Sequence, residues 1–427
     1  MIFGAMICFI ACNKKQALPD SKALQHQCMN DLTDIIVRDV VSPPVASRMY
    51  AYTSLAYYEG IRHLQPTTAS LTAQLKGFEQ MPLPEKAQPY HFPLVAAQAF
   101  YQTAHALVFS KDSLLKKQKN AIAAFKSSLD EDVFEVSLAL GDSIAAVILR
   151  RSKADGYKQT RGLPRYHVYR AEGRWYPTPP DYMDAIEPYW NRLKPLLLDS
   201  AAQCKVPPPP AFDLRNKESV FYKEMMETKV AVEQLTPEQD TIARYWDDNA
   251  YVTEHKGHLV YATKKTTPGG HWMGITSILS KQTKADEVKT AKAFALTAAA
   301  IYDGFIACWD EKYRSNRIRP VTVIRNHLQA EWWPILQTPP FPEYTSGHSV
   351  ISSAAATVLT QLFGENLAFT DTTELPYLGM QRSFSSIRAA ADETCISRLY
   401  GGIHFRSAIE QGKNQGNAVG ALYNMLH

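Results

Sequence analysis

A chain of 427 residues with 45% hydrophobic and 21% charged residues has ample material for a buried core, as one large domain or two ordinary ones, and its composition excludes disorder. A formal net charge of +4 scattered along that length offers no basic stripe for a nucleic-acid backbone, so no nucleic acid is expected as a partner. The aromatic share of 11%, with 22 Tyr, suits wide buried faces whose phenols need hydrogen-bond partners.

Met1 to Ala11 is apolar and Cys12-Asn13-Lys14-Lys15 follows, a layout like the end of a bacterial lipoprotein signal with Cys12 lipidated. The apolar run is far shorter than the ~20 residues of a bilayer span. The expectation is a signal and tether over residues 1–19, export to the periplasm or cell envelope, and membrane contact only through a lipid anchor. The alternative is a small apolar strand or helix inside the fold. Cys8, Cys28, Cys204, Cys308 and Cys395 show no CxxC or Cys/His metal spacing, so they do not decide the redox compartment.

Residues 20–235 read as an N-terminal helical part. Apolar periodicity predicts helices over Asp31 to Val41, Val45 to Leu64, Phe92 to Ser110 and Asp132 to Arg151, each with one core-facing stripe. The Lys111 to Lys119 run reads as a solvated helix face. Asp155 to Pro180 changes character, because Gly156, Gly162, Gly173 and four Pro interrupt an aromatic, Arg-rich run. It reads as an irregular or short-hairpin insertion, either shaping an entrance or connecting two helical halves. Pro207 to Pro210 is a stiff spacer and a second candidate boundary.

The C-terminal part, 236–427, begins with Thr236-Pro237-Glu238, a helix start with cap, Pro and early acid. That helix carries Trp246-Asp247-Asp248-Asn249 at its end. His255 and His258 invite a metal reading, but no third ligand pattern accompanies them. By themselves, Asp248, Asn249, His271 and Trp272 read as a structural polar network. Lys292 to Trp309 reads as a buried rather than transmembrane helix that delivers Lys312 at its C-terminal side; Lys292 and Asp303 interrupt its apolar run.

Pro339-Pro340-Phe341-Pro342 then stops any preceding helix, and Ser346-Gly347-His348 leads into Val350, Ile351, Ala354, Ala355, Val358, Leu359 and Leu362 at helical spacing. The trio therefore starts a helix. There, unpaired N–H groups and the helix dipole attract an anion, Gly347 permits close approach, and Ser346 adds a hydroxyl. His348 would face the same anion; the plain alternative is a capping Ser beside a surface His. Lys312 and Arg319 lie upstream and Arg398 and His404 downstream, donors suited to a tetrahedral oxyanion. Arg314 and Arg317 fall outside these positions and are expected not to contribute to anion affinity.

The ordered set Lys312-x6-Arg319-Pro320, Ser346-Gly347-His348 and Ser397-Arg398-x5-His404 resembles the signature shared by type 2 phosphatidic acid phosphatases and vanadium-dependent haloperoxidases, over residues 290–425. Trp309 and Pro340-Phe341-Pro342 look like the chloroperoxidase version of this segment. The resemblance implies an all-α fold of two packed helical bundles with the oxyanion site in the C-terminal half. It further implies vanadate held by Lys312, Arg319, Ser346, Gly347 and Arg398 and bonded through vanadium to His404. His348 would serve as acid/base, with hydrogen peroxide and a halide as substrates, Phe341 and Trp309 lining the pocket, and Asp248, Asn249, His271 and Trp272 in its wall. Phe341 looks like the chloride-competent type. The same cage could instead hold phosphate and hydrolyse a phosphate monoester through a phosphohistidine at His404, or bind an oxyanion without turnover in a surface lipoprotein. Two departures stand out: Thr345 replaces the usual Pro, and Ala408 replaces the Asp that usually orients the ligand His. Glu410 would face elsewhere on the same helix.

Overall fold

The structure is a computed structural model that describes residues 17–250, 252–256, 258–262 and 264–426; Met1 to Ala11 and Cys12, on which the expected signal rests, lie outside the described residues. Helix α1 (Ser21–Arg38) begins well before Asp31, because Asp20 caps it by accepting from the Lys22 N–H (2.9 Å). Leu24, Cys28, Leu32 and Ile35 then keep one buried stripe through otherwise polar residues. Helix α2 (Pro43–Ile61) is buried over its whole circumference, so amphipathic periodicity alone understates its depth. It packs on α3 (Phe92–Leu107) so closely that a Cβ on Gly60 would lie 2.6 Å from the Ala96 Cα. Helices α4 (Lys111–Ser128) and α5 (Glu131–Lys153) complete this first bundle.

Residues 155–219 are mostly irregular, apart from the short α6 (Tyr157–Thr160) and a 3₁₀ turn at Trp190–Arg192. This segment is fastened at two places. The amides of Leu196, Leu197 and Leu198 all donate to buried Asp303 (2.8–3.0 Å), and Gly173 and Trp175 pair with the backbone of Ile318 and Asn316 (3.0 and 2.9 Å). Helix α7 (Val220–Glu233) packs Phe221 and Met225 on residues of the C-terminal half.

Helix α8 (Pro237–Tyr245) starts with the expected Thr236 cap, completed by Gln239 into a capping box. The ribbon β1 (Thr253–Lys256) and β2 (Leu259–Ala262) follows, then α9 (Pro268–Gln282); His258 is exposed in the ribbon's turn. The central element is α10 (Glu287–Ser315), long and apolar enough to cross a membrane but with 94% of that stretch buried inside the protein. It contains Lys312 instead of ending before it. It packs on α2 of the first bundle and on α12 (Gly347–Phe363) and α15 (Arg406–Tyr423) of the second, so one continuous hydrophobic core runs from Leu24 to Tyr423. Between these lie α11 (Pro320–His327), the small ribbon β3 (Phe369–Asp371) and β4 (Arg382–Phe384) around α13 (Leu375–Leu378), and α14 (Ile387–Tyr400).

Helices α12 and α15 approach each other very closely. Gly416 and Gly420 lie so near α12 that a Cβ would come 2.2 Å from the Val350 carbonyl and 2.7 Å from that of Ala354. With the Ser346 N–H donating to the Ala408 carbonyl (3.0 Å), this contact fixes the start of α12 beside the segment that carries His404.

Candidate active site

The loop Pro339 to Ser346 is buried along its length, so its backbone polar groups must find partners inside the protein. Lys312, fully buried on α10, donates to the carbonyls of Pro342 (3.0 Å), Glu343 (3.2 Å) and Thr345 (2.6 Å). All three ammonium protons thus hold the loop, while the side-chain stem passes beside Gly347. Burial pulls the Lys312 pKa down to about 7, with Arg319 adding to the lowering and Glu343 opposing it.

Arg319, just before α11, donates through Nε to the Phe341 carbonyl (2.9 Å) and through Nη1 to the Ile403 carbonyl (2.8 Å) and His404 Nε2 (3.2 Å). Its Nη2 has no partner. Arg398, at the end of α14, reaches His348 Nε2 (3.0 Å) and the Asp247 carbonyl (3.4 Å) through Nη1, and its Nε and Nη2 have none. Both guanidinium groups are fully buried. Burial lowers both pKa values, Arg319 to about 10, and a guanidinium keeps its proton in proteins at neutral pH. Unpaired buried donors cost about 1–3 kcal/mol each, so three of them on two buried cations mark a place built for an anion. The first amides of α12, at Gly347 and His348, have no intrahelical acceptor and add to that field. Ser346 is the cap of α12, its Oγ accepting from the Ser349 N–H (3.3 Å).

The partner of His404 is Glu343. Its Oε1 accepts from His404 Nδ1 (3.0 Å) and from the Phe405 N–H (2.9 Å), and its Oε2 faces Arg317 Nη1 (3.3 Å). Burial raises the Glu343 pKa and Arg317 opposes the rise; three N–H donors on its two oxygens mark it as a carboxylate. Burial first, then Arg319, Lys312 and Arg398, pulls His404 well below the ordinary imidazole value. The ring is neutral, with its proton on Nδ1 toward Glu343 and the Nε2 lone pair turned toward the cations. Glu343 thus takes the role that Ala408 cannot, and Glu410 is exposed. The sequence signal was a single acid inside an otherwise apolar Pro-Phe-Pro-Glu-Tyr run.

Arg317 lies one residue pair away from the cage. It is 3% exposed and bridges Glu343 to Glu224 (2.8 Å) and the Ser407 hydroxyl (2.9 Å), so it supports His404 through Glu343. Arg314 is exposed and pairs with Glu311 and Asp310, away from the cage.

His348 is also held neutral. Enclosure in the cleft lowers its pKa well below 6.5 and Arg398 adds to this, while a hydrogen bond with the Asp247 backbone opposes. Asp248 and Asn249 join His348 and His404 in lining a cavity of about 30 Å³, closed on its apolar side by Phe305, Trp309 and Phe341. The Trp309 and Phe341 rings pack 5.0 Å apart. His271 and Trp272 stand behind this wall: Trp272 Nε1 donates to the Ser352 hydroxyl (2.8 Å), and His271 lies among Asp248, Asp371 and Glu374.

A family model of the VCPO second helical-bundle domain matches residues 292–426. No curated protein matches the chain. Among solved structures, one described as the first bacterial vanadium-dependent iodoperoxidase is 43% identical over 97% of this chain and 99% of its own, with a TM-score of 0.91. The chain belongs to the vanadium-dependent haloperoxidases. Holo-type and apo-type bacterial vanadium-dependent chloroperoxidases, 18% and 16% identical, share the fold at a TM-score of 0.69 over 91% and 90% of this chain. The protein is therefore an enzyme of this family, with vanadate as the cofactor. Its residues fit that group: the orphaned N–H donors of Arg319 and Arg398 and the α12 amides suit the oxyanion's oxygens, and the neutral His404 Nε2 suits vanadium.

Proposed function

We propose that this haloperoxidase uses hydrogen peroxide to oxidise iodide in preference to bromide or chloride. The observation that carries the reading is the neutral His404, its Nε2 set by Glu343, facing unpaired donors of buried Arg319; the iodoperoxidase relative supports the choice of halide. Arg319, Arg398, the Gly347 and His348 amides and His404 would hold vanadate, with Lys312 contributing its charge from behind the loop. When bound, vanadate supplies Lewis-acid activation of peroxide toward halide attack.

The remaining work falls to the protein. Glu343 fixes the ligand tautomer, and two buried guanidinium groups balance the anion's charge without reorganising. The Trp309–Phe341–Phe305 wall keeps water away and strengthens the cage's pull on peroxide, help that iodide, the most easily oxidised of the three halides, needs least. Balanced as I⁻ + H₂O₂ + H⁺ giving HOI + H₂O, the reaction takes up one proton. His348 in the free site is an acceptor, so it takes that proton before delivering it. We further propose attachment at the cell envelope through lipidated Cys12, a reading of the sequence alone that fatty-acid labelling of wild type and Cys12→Ala would test.

The test of activity is to strip the purified protein, restore orthovanadate, and follow peroxide-dependent oxidation of iodide, bromide and chloride beside hydrolysis of nitrophenyl phosphate. Vanadate-dependent iodide oxidation at the highest kcat/KM is the expected result. Hydrolysis that vanadate inhibits, without halide oxidation, would move the reading to an acid phosphatase with His404 as nucleophile.

A further inference from the structure

Behind the cavity wall lies a second cluster with the makings of a metal centre. His271 on α9 is fully buried, and three carboxylates converge on its ring. Asp248 approaches Nδ1 at 3.0 Å, Glu374 Oε1 stands 3.6 Å from the same nitrogen, and Asp371 Oδ2 meets Nε2 at 2.8 Å. Ligand atoms from Asp248, His271 and Glu374 all lie within 4.8 Å of one another. The separations of 3.0 and 3.6 Å bracket the edge of about 3.4 Å expected for a tetrahedron with metal–ligand bonds near 2.1 Å.

Glu374 supplies the independent sign. It is 1% exposed, yet its Oε1 has no hydrogen-bond partner, an arrangement costing roughly 1–3 kcal/mol if nothing occupies the gap. The nearby ammonium of Lys265 is committed to Asp247 (2.6 Å), which leaves three carboxylates facing one imidazole. Asp371 then reads as the partner that orients a ligand histidine through its second nitrogen, the same device Glu343 provides for His404. Asp371 is itself fixed by the Thr373 N–H (2.9 Å), and Trp246 stacks on the imidazole at 4.5 Å. Asp248 adopts a left-handed backbone conformation (φ 40°), uncommon for a non-glycine residue and frequent at functional positions.

We infer that Asp248, His271 and Glu374 form a second metal site, for a transition-metal dication of the Mn²⁺ or Zn²⁺ kind, distinct from the vanadate cage. One imidazole with two carboxylates suits these ions better than Ca²⁺ or Mg²⁺, which prefer all-oxygen sets. The ion ties together the loop after α8, helix α9 and the turn before α13. Through Asp248 it steadies the cavity wall, whose neighbouring Asp247 carbonyl accepts from Arg398.

The experiment expresses the full chain in medium supplemented with Mn²⁺ and Zn²⁺, purifies it without chelator and measures Mn, Zn and V by elemental analysis. Wild type should carry about one Mn or Zn per chain, and so should His404→Ala, although its vanadium falls at least tenfold. Glu374→Gln, which breaks no hydrogen bond at Oε1, should lose at least nine-tenths of the Mn or Zn. Its melting temperature should match that of chelator-treated wild type. Asp248→Asn should lose the metal similarly, a second variant should Glu374→Gln misfold. Wild type without Mn or Zn, or equal metal in Glu374→Gln, would overturn the assignment and leave a closed hydrogen-bonded network.

Discussion

Replacing Glu343 by Ala tests the arrangement that distinguishes this site. The change leaves His404 Nδ1–H and the Phe405 N–H without their acceptor (3.0 and 2.9 Å) and strips Arg317 of one of its two carboxylates. The Phe405 loss, about 1–3 kcal/mol for a buried donor, is the same with and without vanadate, so it lowers the melting temperature and not the affinity. Only the His404 contribution differs between the two states, since an imidazole free to turn or change tautomer no longer keeps Nε2 toward the cage. Loss of such an outer partner typically costs 10–100-fold in affinity for the bound metal, about 1.4–2.8 kcal/mol. Titration of stripped protein with orthovanadate, read by calorimetry and by recovery of iodide oxidation, should show that increase in Kd. Glu343→Gln, which keeps an acceptor oxygen, should fall between Ala and wild type. Glu224→Gln is the control: it disturbs the other side of Arg317 without touching His404, so a comparable rise in Kd there would mean general loosening. An unchanged Kd in Glu343→Ala would refute the reasoning outright.

Arg319→Ala and Arg398→Ala should each weaken vanadate at least about tenfold, from the ~2–5 kcal/mol lost on truncating a buried charge partner; Arg314→Ala should not, and equal losses at all three would indicate a diffuse basic surface. Arg317→Ala should lower the melting temperature and weaken vanadate less than Arg319→Ala, acting only through Glu343. Phe341→His, which puts a polar ring 5.0 Å from Trp309, should reduce chloride oxidation most and iodide oxidation least, as measured by kcat/KM for each halide. His348 and His404 are held well below 6.5 when folded, so between those lowered values and 6.5 the unfolded chain binds more protons and stability rises with pH. Vanadate-free protein should accordingly lose stability as pH falls below about 6.5, by at most ~1.4 kcal/mol per pH unit for each imidazole; denaturant melts of wild type and His348→Gln should show a shallower slope in the variant.

The helices around Val45, Phe92 and Gly347 were legible because apolar periodicity and capping are local properties that a few neighbouring residues settle. The cationic set could be named for a related reason: Lys312, Arg319, Arg398 and His404 are types that few buried places tolerate, and they stand in an order that resembles the family signature. What holds those residues is another matter. Glu343 meets His404 across 61 positions of sequence and Arg317 across 26, and no spacing rule links them until α12 and α15 pack together. The same is true of Lys312, whose protons go to loop carbonyls that exist as acceptors only once the loop is buried. His271 lies 23 residues from Asp248 and 100 from Asp371; a histidine beside a tryptophan in sequence says nothing of the three carboxylates that meet it. The sequence determined which groups would be charged, apolar or helical. Only the tertiary structure decided which of them face each other, because pairing of buried charges depends on distance through space and on the absence of water.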